Sequence, residues 1–243
     1  MVNYVREQTV GELIRNTFAI YGRGFSVIFL TYFLPVFPVN LCVTEAQIAG
    51  AKGLYLLGTF VSVFVSLIAC GAITIAISDM CLGNKPSVAR SYGKIFGEML
   101  GKLFVANLLQ TLFVLIGLIL LIVPGVIAAV WLLLTPSVVI LEGLGGMNAL
   151  KRSKALGQGF YWRNFGVFLL VMVICVVLGG ILGAIFGAIF GAMLGNFGGR
   201  LVYVLAQTLS APLSLVMVVL LYYDLRVRKE AYDAAALAED LRR

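Results

Sequence analysis

Long apolar runs separated by short charged segments make up most of this chain. The longest of them, Leu103–Leu141, contains no Asp, Glu, Lys or Arg in 39 residues. A helix needs about 20 residues to cross a bilayer, so this run is long enough for two crossings. Pro124 suits the first turn of the second helix, where its missing N–H is not needed. The whole pattern predicts six spans: residues 25–42, 54–78, 103–123, 124–141, 165–195 and 201–223.

Composition agrees with a membrane location. The chain is 61% hydrophobic and 12% charged, with a mean hydropathy of +1.05. Soluble domains carry roughly 25% charged residues, so the bilayer must act as the solvent. Long unbroken runs favour helices over the short alternating strands of a barrel. We predict an all-α, polytopic membrane protein in which residues 1–243 form a single integral membrane domain.

The positions of Lys and Arg predict the orientation. Of 18 such residues, only Lys52 and Arg200 lie in one set of loops. The other 16 lie in four segments: 1–24, 79–102, 142–163 and 224–243. Cytoplasmic loops carry the excess of positive charge. We therefore expect a multi-pass protein of the cell (inner or plasma) membrane whose N-terminus, two basic loops and C-terminal tail are cytoplasmic.

Residues 1–24 have the pattern of an amphipathic helix. Thr9 and Glu12 fit a capping box, in which each side chain satisfies a backbone donor of the other residue. Apolar residues follow at helical spacing: Val10, Leu13, Ile14, Phe18 and Tyr21. Such a stripe is either buried against protein or laid on the membrane surface. We favour the membrane surface because no soluble domain is available for the helix to pack on.

The layout repeats three times. A basic interfacial segment is followed by a span out and a span back, and each returning span ends in an acid: Asp79, Glu142 or Asp224. Pairs of spans share one orientation, which predicts parallel rather than inverted repeats.

An acid at the C-terminal end of a helix faces the negative end of the helix dipole, so a nearby cation should offset it. The predicted partners are Arg90 for Asp79, Lys151 or Arg152 for Glu142, and Arg226 or Arg228 for Asp224. Lys154 and Arg163 complete a set of boundary residues that we expect to form ion pairs or to contact lipid headgroups.

Six glycines recur at every fourth position: Gly179, Gly183, Gly187, Gly191, Gly195 and Gly199. Small residues at this spacing form a flat groove that allows another helix to approach closely, as in a glycine zipper. The groove could pack within one protomer, form the seam of a homo-oligomer, or line a path.

Polar neutral residues cluster on two spans. Asn107, Gln110 and Thr111 lie on the third span, and Gln207, Ser210 and Ser214 share a face of the sixth. Hydrogen bonds between helices are the ordinary role of such residues. The first cluster lies near the cytoplasm and Gln207 near the other side, so we do not expect one shared site.

Catalytic chemistry has little support. The chain has no His, which removes the usual general base and the commonest metal ligand. Its four Cys are single and widely spaced, as expected of small buried hydrophobes. No charged residue lies deep in a span, which counts against ion-coupled transport. We predict a protein that is not an enzyme, uses no cofactor or metal, and binds no nucleic acid.

Several short motifs resemble a bacterial and archaeal family of six-span membrane proteins. They are Leu121–Gly125, Pro136, Leu141–Gly143, Ala149–Ser153, Gly159 and Tyr222–Glu230. One branch of that family is the membrane domain that precedes the catalytic domain of some glycerophosphodiester phosphodiesterases, and other branches are free-standing. The resemblance covers roughly residues 100–235. It implies six spans and no active site, because the catalysis of that family lies in a separate soluble barrel.

Three functional hypotheses are compatible with the sequence. The first is a non-catalytic scaffold or regulator that acts on membrane lipids, or on a membrane-protein partner or second copy, through basic cytoplasmic faces. The second is a channel or transporter for a small or lipidic solute. The third, an intramembrane lipid-modifying enzyme, would have to use Asp79, Glu142 or Asp224.

Overall fold

The protein is described by a computed structural model that covers residues 4–241, apart from the side chain at position 98. The structure is 88% helical, with no strand in the part that it describes, so the predicted all-α class is confirmed. Two π-helical segments, Ile95–Met99 and Cys175–Ile181, join α4 to α5 and α9 to α10. The α-helices are α1 Val10–Arg23, α2 Phe25–Ile48, α3 Lys52–Cys81, α4 Val88–Lys94, α5 Leu100–Leu120, α6 Ile122–Leu132, α7 Thr135–Glu142, α8 Gly146–Gly157, α9 Tyr161–Ile174, α10 Leu182–Glu230 and α11 Ala234–Asp240.

Five helical stretches of the described chain are long and apolar enough to cross a membrane. They are Phe25–Ile48, Lys52–Cys81, Leu100–Leu120, Ile122–Glu142 and Tyr161–Glu230. The last has 70 residues, whereas a single crossing needs about 20. A polytopic helical membrane protein is therefore the architecture that the structure supports.

The long last stretch is interrupted at Gly195. Its φ of 79° and ψ of 169° are not helical, and a side chain would strain this backbone. Beyond it the chain returns antiparallel to itself. An ideal Cβ on Gly183 would lie 3.1 Å from the Ala206 Cβ, and one on Gly191 would lie 3.6 Å from the Gly199 Cα. Gly195 thus ends the first arm of α10, residues 182–194, and begins the second arm, residues 196–230.

This reversal divides the run of six glycines. The first four belong to the π segment and the first arm, whereas Gly195 forms the turn and Gly199 lies on the second arm. The run is consequently not one face of one helix. Its members meet each other instead, because Gly187 and Gly191 both face Gly199 across the turn.

The chain also reverses at Leu121, between α5 and α6. Leu121 is extended, with φ −169° and ψ 154°. A Cβ on Gly117 would lie 2.8 Å from the Gly125 Cα, so the two helices touch through bare backbone. The turn comes before Pro124, which keeps its predicted place in the first turn of the second helix. The predicted fourth span, residues 124–141, is in fact two helices, because α6 ends at Leu132 and α7 begins at Thr135.

Helix α1 packs along the second arm of α10. The Gln8 backbone N–H donates to Asp224 at 2.6 Å, and the Tyr21 hydroxyl donates to the Leu209 carbonyl at 2.9 Å. Gln8 and Tyr21 are about as far apart in the chain as Asp224 and Leu209. The two elements therefore run antiparallel over roughly 20 Å.

The buried face of α1 differs from the predicted stripe. It consists of Leu13, Asn16, Thr17 and Ile20, while Phe18 is 52% exposed. Asn16 lies on the buried face although it is outside the predicted stripe, and its amide donates to the Gln8 side chain at 2.8 Å. The partner of the helix is the second arm of α10 and not a soluble domain. The position of α1 relative to a bilayer stays a prediction.

The hydrophobic core is concentrated at one end of the bundle. It combines the last turns of α3, almost all of α7 and the end of α10, where Tyr222 and Tyr223 are completely buried. At the opposite end Ile119 is 83% exposed, as expected of a lipid-facing side chain. Residues 224–241, the described part of the predicted tail 224–243, contribute to this core. Helix α10 runs on to Glu230, and α11 folds back so that Leu237 is fully buried.

Candidate functional site

The acids that end the returning spans gather at the core end of the bundle. Ser78 and Tyr223 share a hydrogen bond of 2.5 Å between α3 and α10. The neighbouring Tyr222 donates to a Glu142 carboxylate oxygen at 2.9 Å. We call the three acids and the groups that contact them the boundary network. Its acids are Asp79, Glu142 and Asp224.

Asp224 is the best satisfied of these acids. Its carboxylate is completely buried and accepts hydrogen bonds from the Gln8 backbone N–H at 2.6 Å, from Arg228 at 3.1 Å and from Arg163. Arg163 and Arg228 also donate to the Gln8 carbonyl, at 2.6 and 3.1 Å. Asp224 thereby joins the N-terminal segment, the start of α9 and the end of α10. Of its two predicted partners, only Arg228 contacts it.

Glu142 lies at the end of α7 and pairs with Arg152 of α8. The Arg152 Nε donates to Glu142 at 2.6 Å, and its NH2 nitrogen lies 2.6 Å from Glu230. Burial lowers the pKa of Arg152, but its bonds to the two carboxylates outweigh burial and raise that pKa overall. The predicted alternative, Lys151, is exposed and makes no ion pair in the described part of the chain.

The turn that brings Arg152 back to Glu142 depends on glycine. Gly143 and Gly146 have φ of 67° and 54°, a left-handed conformation that other residues rarely adopt. The chain therefore reverses within three residues after Glu142 and begins α8. This geometry explains the Gly-Leu-Gly-Gly sequence that follows the acid.

Arg226, the alternative partner that was predicted for Asp224, does not pair with it. It turns towards α11, where it contacts Asp240 at 2.8 Å and lies 3.8 Å above the Tyr232 ring. The Tyr232 hydroxyl donates to the same Asp240 carboxylate at 2.8 Å. Burial, together with this hydrogen bond, raises the pKa of Tyr232. Arg226 and Tyr232 thus hold the last helix against the network.

Asp79 is buried but poorly satisfied. Its carboxylate is 1% exposed and lies 3.5 Å from Arg90, as predicted, although Arg90 itself is 52% exposed. Neither carboxylate oxygen has a hydrogen-bond partner within residues 4–241. Burial and the nearby Arg90 lower the pKa of Lys94, while Asp79 opposes that shift. Asp79 therefore differs from Asp224 in its partners and not in its burial.

An ion pair at the other end of the bundle was missed by the sequence analysis. Arg200 donates to Glu45 through two nitrogens, at 2.6 and 2.9 Å, and joins the end of α2 to the second arm of α10. The charge pattern of the sequence did contain a signal for this ion pair. Arg200 and Glu45 are two of the few charges outside the four basic segments, and paired Arg–carboxylate geometry is a strong contact.

An open, mostly apolar cavity of about 460 Å³ brings together one residue from each of the two predicted polar clusters. Asn107 of α5 and Ser214 of α10 both line it, and Ser214 contacts Cys175 with 3.0 Å between oxygen and sulfur. Gln110, Thr111 and Gln207 do not line this cavity, so the two clusters as wholes do not form one shared site. Gln207 lies about two turns away from Ser214 and donates to Tyr203 instead, at 2.6 Å.

Among the described residues, these contacts form one kind of charged cluster, in which acids pair with arginines. No group of three or more His, Cys, Asp or Glu is placed to hold a metal ion in residues 4–241. The network can fix the ends of helices and exclude water from them. It leaves several lysines at its edge, and Lys154 lies over the Trp131 ring at 3.9 Å.

The fold and the boundary network define a helical membrane protein. Comparison with known proteins adds one relative, a UPF0259 membrane protein from Pectobacterium carotovorum subsp. carotovorum (strain PC1). The two are 33% identical over 102 residues, which span 42% of this chain and 40% of the relative's length. No family model and no solved structure matches the chain. This similarity supports the interpretation of the chain as a bacterial membrane protein. It shows no link to glycerophosphodiester phosphodiesterases.

Proposed function

We propose that this chain is a non-catalytic membrane scaffold or regulator that acts on anionic lipids through a lysine-rich face. The proposal rests on a difference between the two kinds of cation: arginines pair with the network acids, whereas several lysines are exposed. Arginine supplies the cation in every ion pair of the three network acids: Arg90, Arg152, Arg163, Arg226 and Arg228. Whereas Lys94 is half-buried, several lysines of the same basic segments are exposed, among them Lys85, Lys102, Lys151 and Lys154.

This division has a physical cause. The arginine guanidinium is planar and weakly hydrated, so it suits buried pairs with carboxylates, whereas the compact lysine ammonium keeps its water. A lysine near an anionic bilayer surface contributes about 1 kcal/mol of attraction. The arginines thus neutralise the acids of the network and leave the lysines available for phosphate headgroups.

The topology that goes with this function has six spans. We infer that the stretch Tyr161–Glu230 crosses twice, with its turn at Gly195, and that the boundary network lies at the cytoplasmic face of the cell membrane. Both termini are then cytoplasmic. The three pairs of spans form parallel units, each ending in one network acid. Support comes from the non-helical backbone at Gly195 and from the 16 of 18 Lys and Arg that fall in four alternate segments of the sequence.

Reporter fusions test this topology. Fusions at Lys52 and at Arg200 should both give the extracytoplasmic signal, because the positive-inside rule places these two isolated cations outside. A fusion at Lys85 serves as the cytoplasmic control. A cytoplasmic signal at position 52 or position 200 would contradict the six-span arrangement.

The lysine face has its own test. Replacing Lys85, Lys102 and Lys151 by Gln should lower the ratio of anionic to zwitterionic phospholipid that co-purifies with the protein. The expected decrease is at least about fivefold, since one lysine contributes about 1 kcal/mol and 1.4 kcal/mol is a factor of ten. The ratio is measured by mass spectrometry of lipid extracted from the detergent-purified protein.

The control for that experiment is Lys52→Gln, which removes an exposed lysine at the opposite end of α3. It should leave the ratio unchanged. Arg152 is not replaced, because it holds Glu142 and its loss would disturb the fold. An unchanged ratio in the triple variant would contradict the proposal.

The resemblance to the membrane domain of glycerophosphodiester phosphodiesterases fits such a role, because that domain accompanies the chemistry and does not perform it. We propose no phosphodiesterase activity for this chain.

A channel or transporter is the second candidate, and the open cavity that Asn107 and Ser214 both line favours it. Solute flux in vesicles reconstituted with the protein would distinguish this function from the first.

A further inference from the structure

A second cavity, the α6–α9 groove, opens on the side of the bundle. It has a volume of about 550 Å³, within the range of small-molecule sites. Its walls are almost entirely apolar. The lining residues are Ile122, Val123, Val126, Ile127, Val130, Trp131, Tyr161, Trp162 and Phe165. Both tryptophans of the chain belong to this set.

One end of the groove carries a fixed cation. The Lys154 ammonium lies 3.9 Å from the centroid of the Trp131 ring. The Ser153 hydroxyl donates to the Trp131 carbonyl at 2.9 Å, and the Tyr161 ring packs 6.0 Å from the Trp131 ring. Lys154 is exposed and forms no ion pair with any residue of 4–241. Its charge is held at the mouth of the groove with no anion to balance it.

The length of the groove fits half a bilayer. From Trp131 to Ile122 the wall of α6 extends for nine residues, or roughly 14 Å at 1.5 Å per residue. Half of the ~30 Å hydrocarbon core is about 15 Å. The groove is therefore long enough to hold the part of an acyl chain that fills one leaflet.

We propose that the α6–α9 groove binds one acyl chain of an anionic phospholipid, with the headgroup phosphate on Lys154. This inference rests on the proposed function. The apolar walls fit an acyl chain, and the unpaired ammonium selects for a net negative headgroup. A surface for a second protein copy would not need an isolated cation at one end of a leaflet-deep cleft.

The two tryptophans make the test direct. The protein is reconstituted in mixed micelles with phospholipids brominated on the acyl chain, which quench tryptophan fluorescence on contact. Brominated phosphatidylglycerol should reach half-maximal quenching at about one fifth of the concentration that brominated phosphatidylcholine needs. In Lys154→Gln the two concentrations should become equal, and Lys154→Arg should restore the difference. Lys52→Gln, at the other end of the bundle, is the matched control.

Single-tryptophan variants locate the effect. With Trp162→Phe the remaining Trp131 should retain the preference for the anionic lipid, whereas the 87% exposed Trp162 should be quenched similarly by both lipids. Val126→Phe partly fills the groove and should reduce quenching of Trp131. Equal quenching of Trp131 by both lipids, or a preference that survives Lys154→Gln, would overturn the proposal. If that happens while the lysine-face variant still loses anionic lipid, the proposed function stands and only the groove assignment fails.

Discussion

Replacing Asp224 by Asn is expected to destabilise the folded protein by about 3–5 kcal/mol. The change leaves two half-buried cations, Arg163 and Arg228, without the anion that they share, since their side chains are 17% and 23% exposed. Removing one member of a buried ion pair is costly because the other charge remains desolvated. The hydrogen bond from the Gln8 N–H is weakened as well. The free energy of unfolding is measured by titrating detergent-solubilised protein with a denaturing detergent.

Asp79→Asn is the matched control. Asp79 is as buried as Asp224 and also ends a returning helix, but its only described ion pair is to the half-exposed Arg90, at 3.5 Å. An exposed partner contributes about 0–1 kcal/mol, and a buried carboxylate without hydrogen bonds is itself unfavourable. Asp79→Asn should therefore change stability by no more than about 1 kcal/mol, in either direction. Equal losses in the two variants would show that hydrogen bonding to Asp224 does not set the difference.

The sequence predicted the part of the boundary network that depends on short separations. Arg228 follows Asp224 by one helical turn, and Arg152 follows Glu142 by 10 residues. The partners that were missed are distant in the chain. Arg163 lies 61 residues from Asp224 and Gln8 lies 216 residues away. Only the packing of α1 and α9 on α10 brings them together, and charge patterning carries no information about that packing.

Hydropathy also failed to separate surfaces that face lipid from surfaces that face protein. Both are apolar in a membrane protein, because lipid tails are as apolar as a leucine core. The exposed Phe18 and the buried Leu13 of α1 therefore belong to one predicted stripe. For the same reason, hydropathy did not predict that α6 ends at Leu132, since apolar residues continue through the break into α7. The all-α class was predictable because it depends on the length of apolar runs alone.

Gly199→Ala is expected to destabilise the protein by about 1–3 kcal/mol, the cost of overpacking a tight contact. A Cβ at Gly199 would overlap the Gly187 carbonyl oxygen and would lie 2.8 Å from the Gly191 Cα. Both obstacles are backbone, so no side chain can rotate away. The two arms on either side of Gly195 must separate to admit one methyl group. The same titration of unfolding free energy detects this loss.

Gly166→Ala is the control, because a Cβ there meets no atom within 4 Å. In a helix, replacing Gly by Ala is otherwise favourable by roughly 0.5–1 kcal/mol. The same substitution should thus have opposite signs at the two positions, which separates the contact from any general effect of the change. A stabilised Gly199→Ala variant would mean that the arms do not touch in the folded protein. If Gly199→Ala instead splits a dimer while the monomer keeps its stability, the glycines pack between protomers. The contact between the two arms of α10 then does not determine the stability of the monomer.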